Sequence, residues 1–187
     1  YGTSFYFATQ FFPKRTREAI YAVYAFARIP DEIVDDPDKA DKETTIAKLE
    51  VWRQKWLQAM KTGQSKDPVM AAIVFMFNKH NITVEDGEAF LKSMFLDEEK
   101  FNYANYKQLD EYMYGSAGVI GLMVTKIVGY HSSEAFPYAI KLGYAFQLTN
   151  FLRDIKQDSE ELKRIYMPLN ELARYNIGYE DIWSQRF

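Results

Sequence analysis

The stretch Tyr24-Ala25-Phe26-Ala27-Arg28-Ile29-Pro30-Asp31-Glu32-Ile33-Val34-Asp35-Asp36 carries both a fold and a chemistry. Its apolar residues continue a helical period that starts upstream, with apolar side chains at 20, 23, 24, 26 and 27, Pro13 placed to begin the helix and Pro37 to end it. Residues i and i+4 of a helix lie one above the other. Tyr24, Arg28, Asp31 and Asp35, spaced four, three and four, therefore form one stripe. An aromatic, cationic and doubly acidic stripe on so apolar a helix is not ordinary core. Pro30 sits just ahead of the acidic pair, where it removes a helix hydrogen bond at a cost of ~3 kcal/mol. A kink or restart is expected there.

A second stretch, Gln147-Leu148-Thr149-Asn150-Phe151-Leu152-Arg153-Asp154-Ile155-Lys156-Gln157-Asp158, repeats the pattern. Gln147, Asn150, Asp154 and Asp158 are spaced three, four and four, again one stripe, within a segment rich in Leu, Phe and Ala. A single aspartate pair at i, i+4 is usually a solvated helix face. Two such pairs on apolar helices, each with polar neighbours on its own face, point instead to two carboxylate clamps. Hard oxygen donors of this kind suit Mg²⁺, which bridges one or two carboxylates to substrate phosphates.

The helical period continues through the rest of the chain. Helices are expected over 13–36, over 38–62 with Leu49, Trp52, Trp56 and Met60 on one face, and over 67–79 and 84–95. Long helices follow over 109–128 and 133–158, with a short one from Leu169 onward. No strand-like alternation, Gly/Ser-rich linker or internal repeat divides the sequence, which reads as a single all-α domain.

Composition narrows the function. The 187 residues are 48% hydrophobic, enough for one domain with a substantial core. Aromatics reach 17%, a surplus that an aromatic-walled cavity would use. The formal charge of −3 gives no basic excess for a nucleic-acid partner. Cysteine is absent, which excludes disulfides, thiolate metal sites and cysteine nucleophiles. No apolar run approaches the ~20 residues needed to cross a bilayer.

Taken together, the segments resemble the squalene and phytoene synthases, the head-to-head branch of the trans-prenyl diphosphate synthases. Ser4-Phe5, Phe12-Pro13 and Arg17 through Arg28 are similar to that family's opening helix pair, and Asp31 through Asp35 to its first aspartate-rich motif. Tyr112 through Gly121 resembles its small-residue helix. Gln147 through Asp158, with Arg164-Ile165-Tyr166-Met167-Pro168, resembles its second motif. Leu122-Met123-Val124 and the segment from Arg164 to Arg174 are closest in character to bacterial phytoene synthases.

The resemblance implies an isoprenoid-synthase-type helical bundle around a central cavity, one domain over residues 1–187, cut short at both ends and lacking its C-terminal helices. It implies head-to-head (1'-1) condensation of two prenyl diphosphates through a cyclopropylcarbinyl diphosphate. Geranylgeranyl diphosphate giving phytoene is the first expectation, and farnesyl diphosphate giving squalene or dehydrosqualene the second. By analogy Asp31, Asp35, Asn150, Asp154 and Asp158 would ligate Mg²⁺, which Mn²⁺ could replace, with NADPH needed only for squalene. Arg28, Arg153 and Arg164 would bind diphosphate, Tyr24 and Tyr166 would donate to it, and Tyr114, Gln147 and Asn150 would line the site.

Arg153 is adjacent in sequence to Asp154 and so points about 100° away from it round the helix axis, so its role rests on the resemblance alone. Arg28 could equally pair with Asp31 or Glu32. Asp97 reads either as part of an exposed acidic turn with Glu98 and Glu99 or, through Met94-Phe95-Leu96-Asp97, as a family element near the cavity. A cytoplasmic protein with peripheral membrane contact for a lipophilic product is expected. Two further alternatives stand behind these: a terpene cyclase, which more typically shows DDxxD and an Asn-Ser/Thr-Glu triad where this chain has Asn150, Asp154 and Asp158, and a non-catalytic scaffold of the same family, which is disfavoured because all four clamp aspartates are present.

Overall fold

In the computed structural model, which describes residues 3–35 and 41–184, helices follow one another from end to end and no strand is formed among those residues. They are α1 (Thr3–Thr9), α2 (Lys14–Val34), α3 (Lys42–Thr62), α4 (Pro68–Lys79), α5 (Val84–Glu99), α6 (Tyr106–Met113), α7 (Val119–Val128), α8 (Ala135–Glu160), α9 (Leu169–Ala173) and α10 (Tyr179–Trp183). A π-helical segment, Tyr114–Gly118, joins α6 to α7. The expected end of the first helix at Pro37 and start of the second at Asp38 lie outside the described residues.

Helix boundaries follow local chemistry. Asp41 caps α3 by accepting from the Thr44 backbone N–H at 2.7 Å, and Asp67 caps α4 with Pro68 behind it. Thr83 and Asp86 form a reciprocal capping box on α5. Gly63 ends α3 with φ of 69°, a backbone region that glycine enters without a Cβ penalty.

Helix α2 is the centre of the bundle, packing against α3, α4, α5 and α7. Phe26 of α2 is fully buried, its ring 4.8–5.5 Å from those of Trp52, Trp56, Phe77 and Phe90. Much of the aromatic surplus therefore goes into packing rather than a cavity wall. Gly87 is required beside this cluster, because a Cβ there would fall 2.3 Å from the Trp56 ring. Helix α8 meets the π-helical segment and α7 backbone to backbone: a Cβ on Gly143 would meet the Ala117 carbonyl oxygen at 2.5 Å, and one on Gly121 the Ala139 oxygen at 2.5 Å.

Three expectations change. No restart occurs at Pro30: α2 is unbroken, and the hydrogen-bond ladder runs on to the Asp35 N–H on the Asp31 carbonyl at 2.9 Å. Pro30 is itself buried, so packing of its ring offsets the lost donor. The helix expected to stop at Phe95 continues to Glu99. The acids that could have formed an exposed turn are helical, with Asp97 and Glu98 buried and only Glu99 exposed.

Candidate active site

Helices α2 and α8 face each other across a cavity of about 500 Å³, a volume ordinary for a small-molecule site. From α2 it receives Tyr24, Ala27, Arg28, Asp31 and Asp35, and from α8 Gln147, Asn150, Phe151, Arg153, Asp154 and Asp158. The segment after α8 adds Leu162, Arg164 and Tyr166. Phe90, Met94 and Asp97 of α5 and Tyr112, Ser116 and Ile120 of the α6–α7 stack complete the lining. The wall is thus divided, with five carboxylates and three arginines on one part and Phe90, Met94, Ile120, Phe151 and Leu162 on another.

Both aspartate pairs are here, and their charges interact. Burial and the neighbouring Asp35 raise the pKa of Asp31, although Arg28 opposes them at 2.5 Å. Burial, followed by Asp154, pushes Asp158 up to about 6, and Asp35 of the facing helix adds to the rise. That last contribution is the electrostatic mark of two clamps opposed across one space. Asp154 goes the other way, held below the ordinary carboxylate range by a two-pronged contact from Arg153 at 2.7 and 2.6 Å. Arg153 thereby reaches the cavity by folding over its sequence neighbour. Arg28 pairs with Glu32 as well as Asp31, at 3.1 Å.

Arg164 ties the halves together. It donates to Asp35 at 2.9 Å and lies 3.6 Å from Glu98, with its side chain only 5% exposed. Its position is fixed by the chain on either side: the Ile165 N–H donates to the Phe101 carbonyl and the Leu169 N–H to the Tyr103 carbonyl, each at 2.9 Å. The Nε of Arg164 and the Oγ of Ser116 are buried in the cavity lining without a hydrogen-bond partner among the described residues. Unpaired buried polar atoms are costly, and both would be satisfied by an oxygen-rich anion in the cavity.

Of the two readings of Asp97 the structure takes the one near the cavity, and Tyr112 beside it was not among the expected site residues. Asp97 is buried and accepts from the hydroxyls of Tyr112 at 2.9 Å and Tyr166 at 3.0 Å. Burial raises its pKa to about 7 despite Arg164 and both hydroxyls. The donation expected from Tyr166 toward a diphosphate is accordingly directed to Asp97, since a buried carboxylate demands donors. What Tyr166 presents is a ring, stacked on Phe151 at 4.2 Å and on Tyr112 at 5.3 Å. Tyr24 is stacked on Phe5 at 4.4 Å.

Tyr114 is the one expected site residue outside the cavity lining. It is 40% exposed and turned toward Gly118, whereas Tyr112, Ser116 and Ile120, spaced four apart, occupy the inner face. Gly115 packs against α5, where an added Cβ would lie 2.4 Å from the Ala89 oxygen.

For a divalent metal the donor set fits in a particular way. Among the described residues no three Asp, Glu or His side chains converge into a ready-made cage. The aspartates are arranged as pairs, which suits Mg²⁺ held by one or two carboxylates and completed by phosphate oxygens and waters. A divalent cation would also relieve the crowding of negative charge that raises Asp31 and Asp158.

Comparison with known proteins agrees with this architecture. A sequence model of the family described as "Squalene/phytoene synthase" matches residues 1–186. A 15-cis-phytoene synthase of Synechococcus elongatus is 31% identical, aligned over 98% of this chain and 62% of its own length. Squalene synthase HpnC from Alicyclobacillus acidocaldarius superposes with a TM-score of 0.84 at 26% identity, over 95% of this chain and 65% of its own. A dehydrosqualene synthase in complex with a ligand gives 0.86 at 29% identity, over 97% and 62%. The chain therefore spans somewhat under two thirds of the length of these relatives. Among the described residues no helix is long and apolar enough to cross a membrane.

Proposed function

The chain belongs to the squalene/phytoene synthase family, and we propose on that ground that it forms the diphosphate-binding and ionising part of a Mg²⁺-dependent head-to-head prenyltransferase. Two prenyl diphosphates would condense 1'-1 through a cyclopropylcarbinyl diphosphate. The observation that carries this reading is the meeting of the Asp31–Asp35 and Asp154–Asp158 pairs, with three arginines, in one cavity that is also lined by Phe90, Met94, Tyr112, Ile120 and Phe151. Mg²⁺, held by Asp31, Asp35, Asp154 and Asp158 with Asn150 beside them, would neutralise the departing diphosphate so that the allylic C1–O bond ionises.

The protein's own groups have definable tasks. Arg28, Arg153 and Arg164 now hold carboxylates, and each can exchange that partner for a phosphate oxygen of the same charge type. Gln147, Asn150 and Ser116 offer neutral hydrogen bonds along the same wall. The buried rings of Phe90, Tyr112, Phe151 and Tyr166 shield a developing cation from water, and their faces favour positive charge. Asp97 keeps Tyr112 and Tyr166 in orientation by accepting from both.

Of the two chain lengths, condensation of geranylgeranyl diphosphate to phytoene is the reading supported by the phytoene synthase relative. Farnesyl diphosphate giving squalene or dehydrosqualene is the second, supported by the two solved neighbours. Incubating purified protein containing this chain with Mg²⁺ and labelled C15 or C20 diphosphate, then identifying the hydrocarbon, separates them. Release of diphosphate from neither substrate would refute the enzymatic reading altogether.

A further inference from the structure

The corner made by α1 and the turn into α2 combines exposed aromatic rings with a cluster of cations. Tyr6, Phe7, Phe11 and Phe12 are 54, 63, 92 and 38% exposed. Immediately after them Lys14, Arg15 and Arg17 fill the first turn of α2, which contains no acid. Among the described residues the ion pair formed by this cluster is Lys14 with Glu18, at 3.8 Å, and that lysine side chain is 80% exposed. A local excess of positive charge thus stands on a chain whose formal charge is −3.

The corner is a built part of the fold. Arg17 donates to Gln10 at 2.7 Å, Gln10 donates to the Tyr21 hydroxyl at 2.7 Å, and Tyr6 lies parallel to the Tyr21 ring at 6.4 Å. Thr9 is buried and donates to the Tyr6 carbonyl at 2.7 Å. Single exposed apolar residues are normal on any surface. Four aromatics within residues 6–12, rimmed by cations, are a contiguous patch of a kind that marks an interaction site.

We propose that this corner docks on an anionic lipid bilayer, with Phe7, Phe11 and Phe12 entering the interface and Lys14, Arg15 and Arg17 meeting the headgroup phosphates. Aromatic rings settle at the boundary between headgroups and acyl chains, and each nearby cation is attracted by the negative surface potential. The partner is chosen by charge complementarity: neither a neutral groove nor a basic protein would answer the cations. The location also connects to the site, because Phe5 of α1 stacks on Tyr24, which lines the cavity. Docking there would set the cavity beside the medium in which long prenyl chains dissolve. A second exposed apolar face, Tyr138, Leu142, Phe146 and Leu152 on α8, has nothing comparable to identify what covers it.

Co-sedimentation of the chain with vesicles of phosphatidylcholine, alone or with phosphatidylglycerol, tests the proposal without metal or substrate, so its outcome is independent of the catalytic reading. The expected result is binding to the phosphatidylglycerol vesicles that weakens with salt. Phe11→Ser should lower partitioning about ten-fold, and Arg15→Gln about five-fold. Both side chains are exposed, and an unchanged circular dichroism spectrum will show that the variants fold. Equal binding to both vesicle types, or an undiminished Phe11→Ser variant, would overturn the proposal. So would loss of binding in Phe146→Ser alone, or a dimer in solution that Phe11→Ser dissolves.

Discussion

Replacing Asp97 with asparagine should change how stability depends on pH. Asp97 is fully buried, and its pKa in the folded chain is about 7 against an ordinary 3.8, with desolvation as the largest cause. The folded state therefore holds the proton more tightly than the unfolded state between those values. Stability follows the difference in bound protons, so the contribution of Asp97 is greatest below pH 4 and is lost as pH rises toward 7. The gap corresponds to about 4 kcal/mol when fully traversed. Asparagine keeps the shape and one acceptor but carries no charge, which removes this dependence while leaving one tyrosine hydroxyl with a poorer partner. Urea denaturation at intervals from pH 4.5 to 8, followed by circular dichroism, measures both proteins. The wild-type curve should fall relative to Asp97→Asn by several kcal/mol across that range, so that the variant gains relative stability toward neutral pH. Parallel curves would show that Asp97 keeps an ordinary carboxylate pKa in the folded protein, and a wild type gaining on the variant as pH rises would show that its pKa is lowered; either result refutes the reasoning.

Arg164→Gln should be strongly destabilising, because it removes the buried cation that opposes the desolvation of Asp97 and breaks the ion pair with Asp35. A loss of about 3 kcal/mol is expected, seen as a drop in thermal midpoint of roughly 10 °C; an unchanged midpoint would mean that the pairing carries no net energy. Gly143→Ala should also destabilise, since its Cβ would lie 2.5 Å from the Ala117 oxygen and 2.9 Å from that carbonyl carbon, both backbone atoms that cannot turn aside. Overpacking at about 2–3 kcal/mol exceeds the roughly 1 kcal/mol that alanine gains in a helix. A urea midpoint equal to or above that of the parent would contradict the close contact of α8 with the π-helical segment.

The two acidic stripes were legible because helix geometry alone settles which residues share a face. Tyr24, Arg28, Asp31 and Asp35 needed only the period of α2, and Gln147, Asn150, Asp154 and Asp158 only that of α8. That the two faces meet is a tertiary fact, and no periodicity contains it; the resemblance supplied that step. Arg153 shows the limit of backbone direction, since a long side chain can fold over its neighbour and reach a face 100° away. Pro30 shows the limit of local propensity, where burial of the ring in the bundle outweighs the missing donor.

The residues not found fail for a different reason, because their signal was present in a form that composition hides. Three consecutive acids look like a solvated turn, yet the helical period separates them: Phe90, Met94 and Asp97, spaced four and three, face the cavity together, while Glu99 turns to solvent. The same rule groups Tyr112 with Ser116 and Ile120 and sends Tyr114 to the other side. Continuing α5 through its acids was the needed step, and it depends on counterparts far along the chain. Asp97 can be buried only because Tyr166, 69 residues away, donates to it and because Arg164 stands near enough to oppose its desolvation. A carboxylate in that position is unaffordable until the chain after α8 returns to cover it. The acidic run and the segment after the second aspartate pair are therefore one structural unit, and Asp97 is the residue through which the apolar and the charged parts of the cavity are coupled.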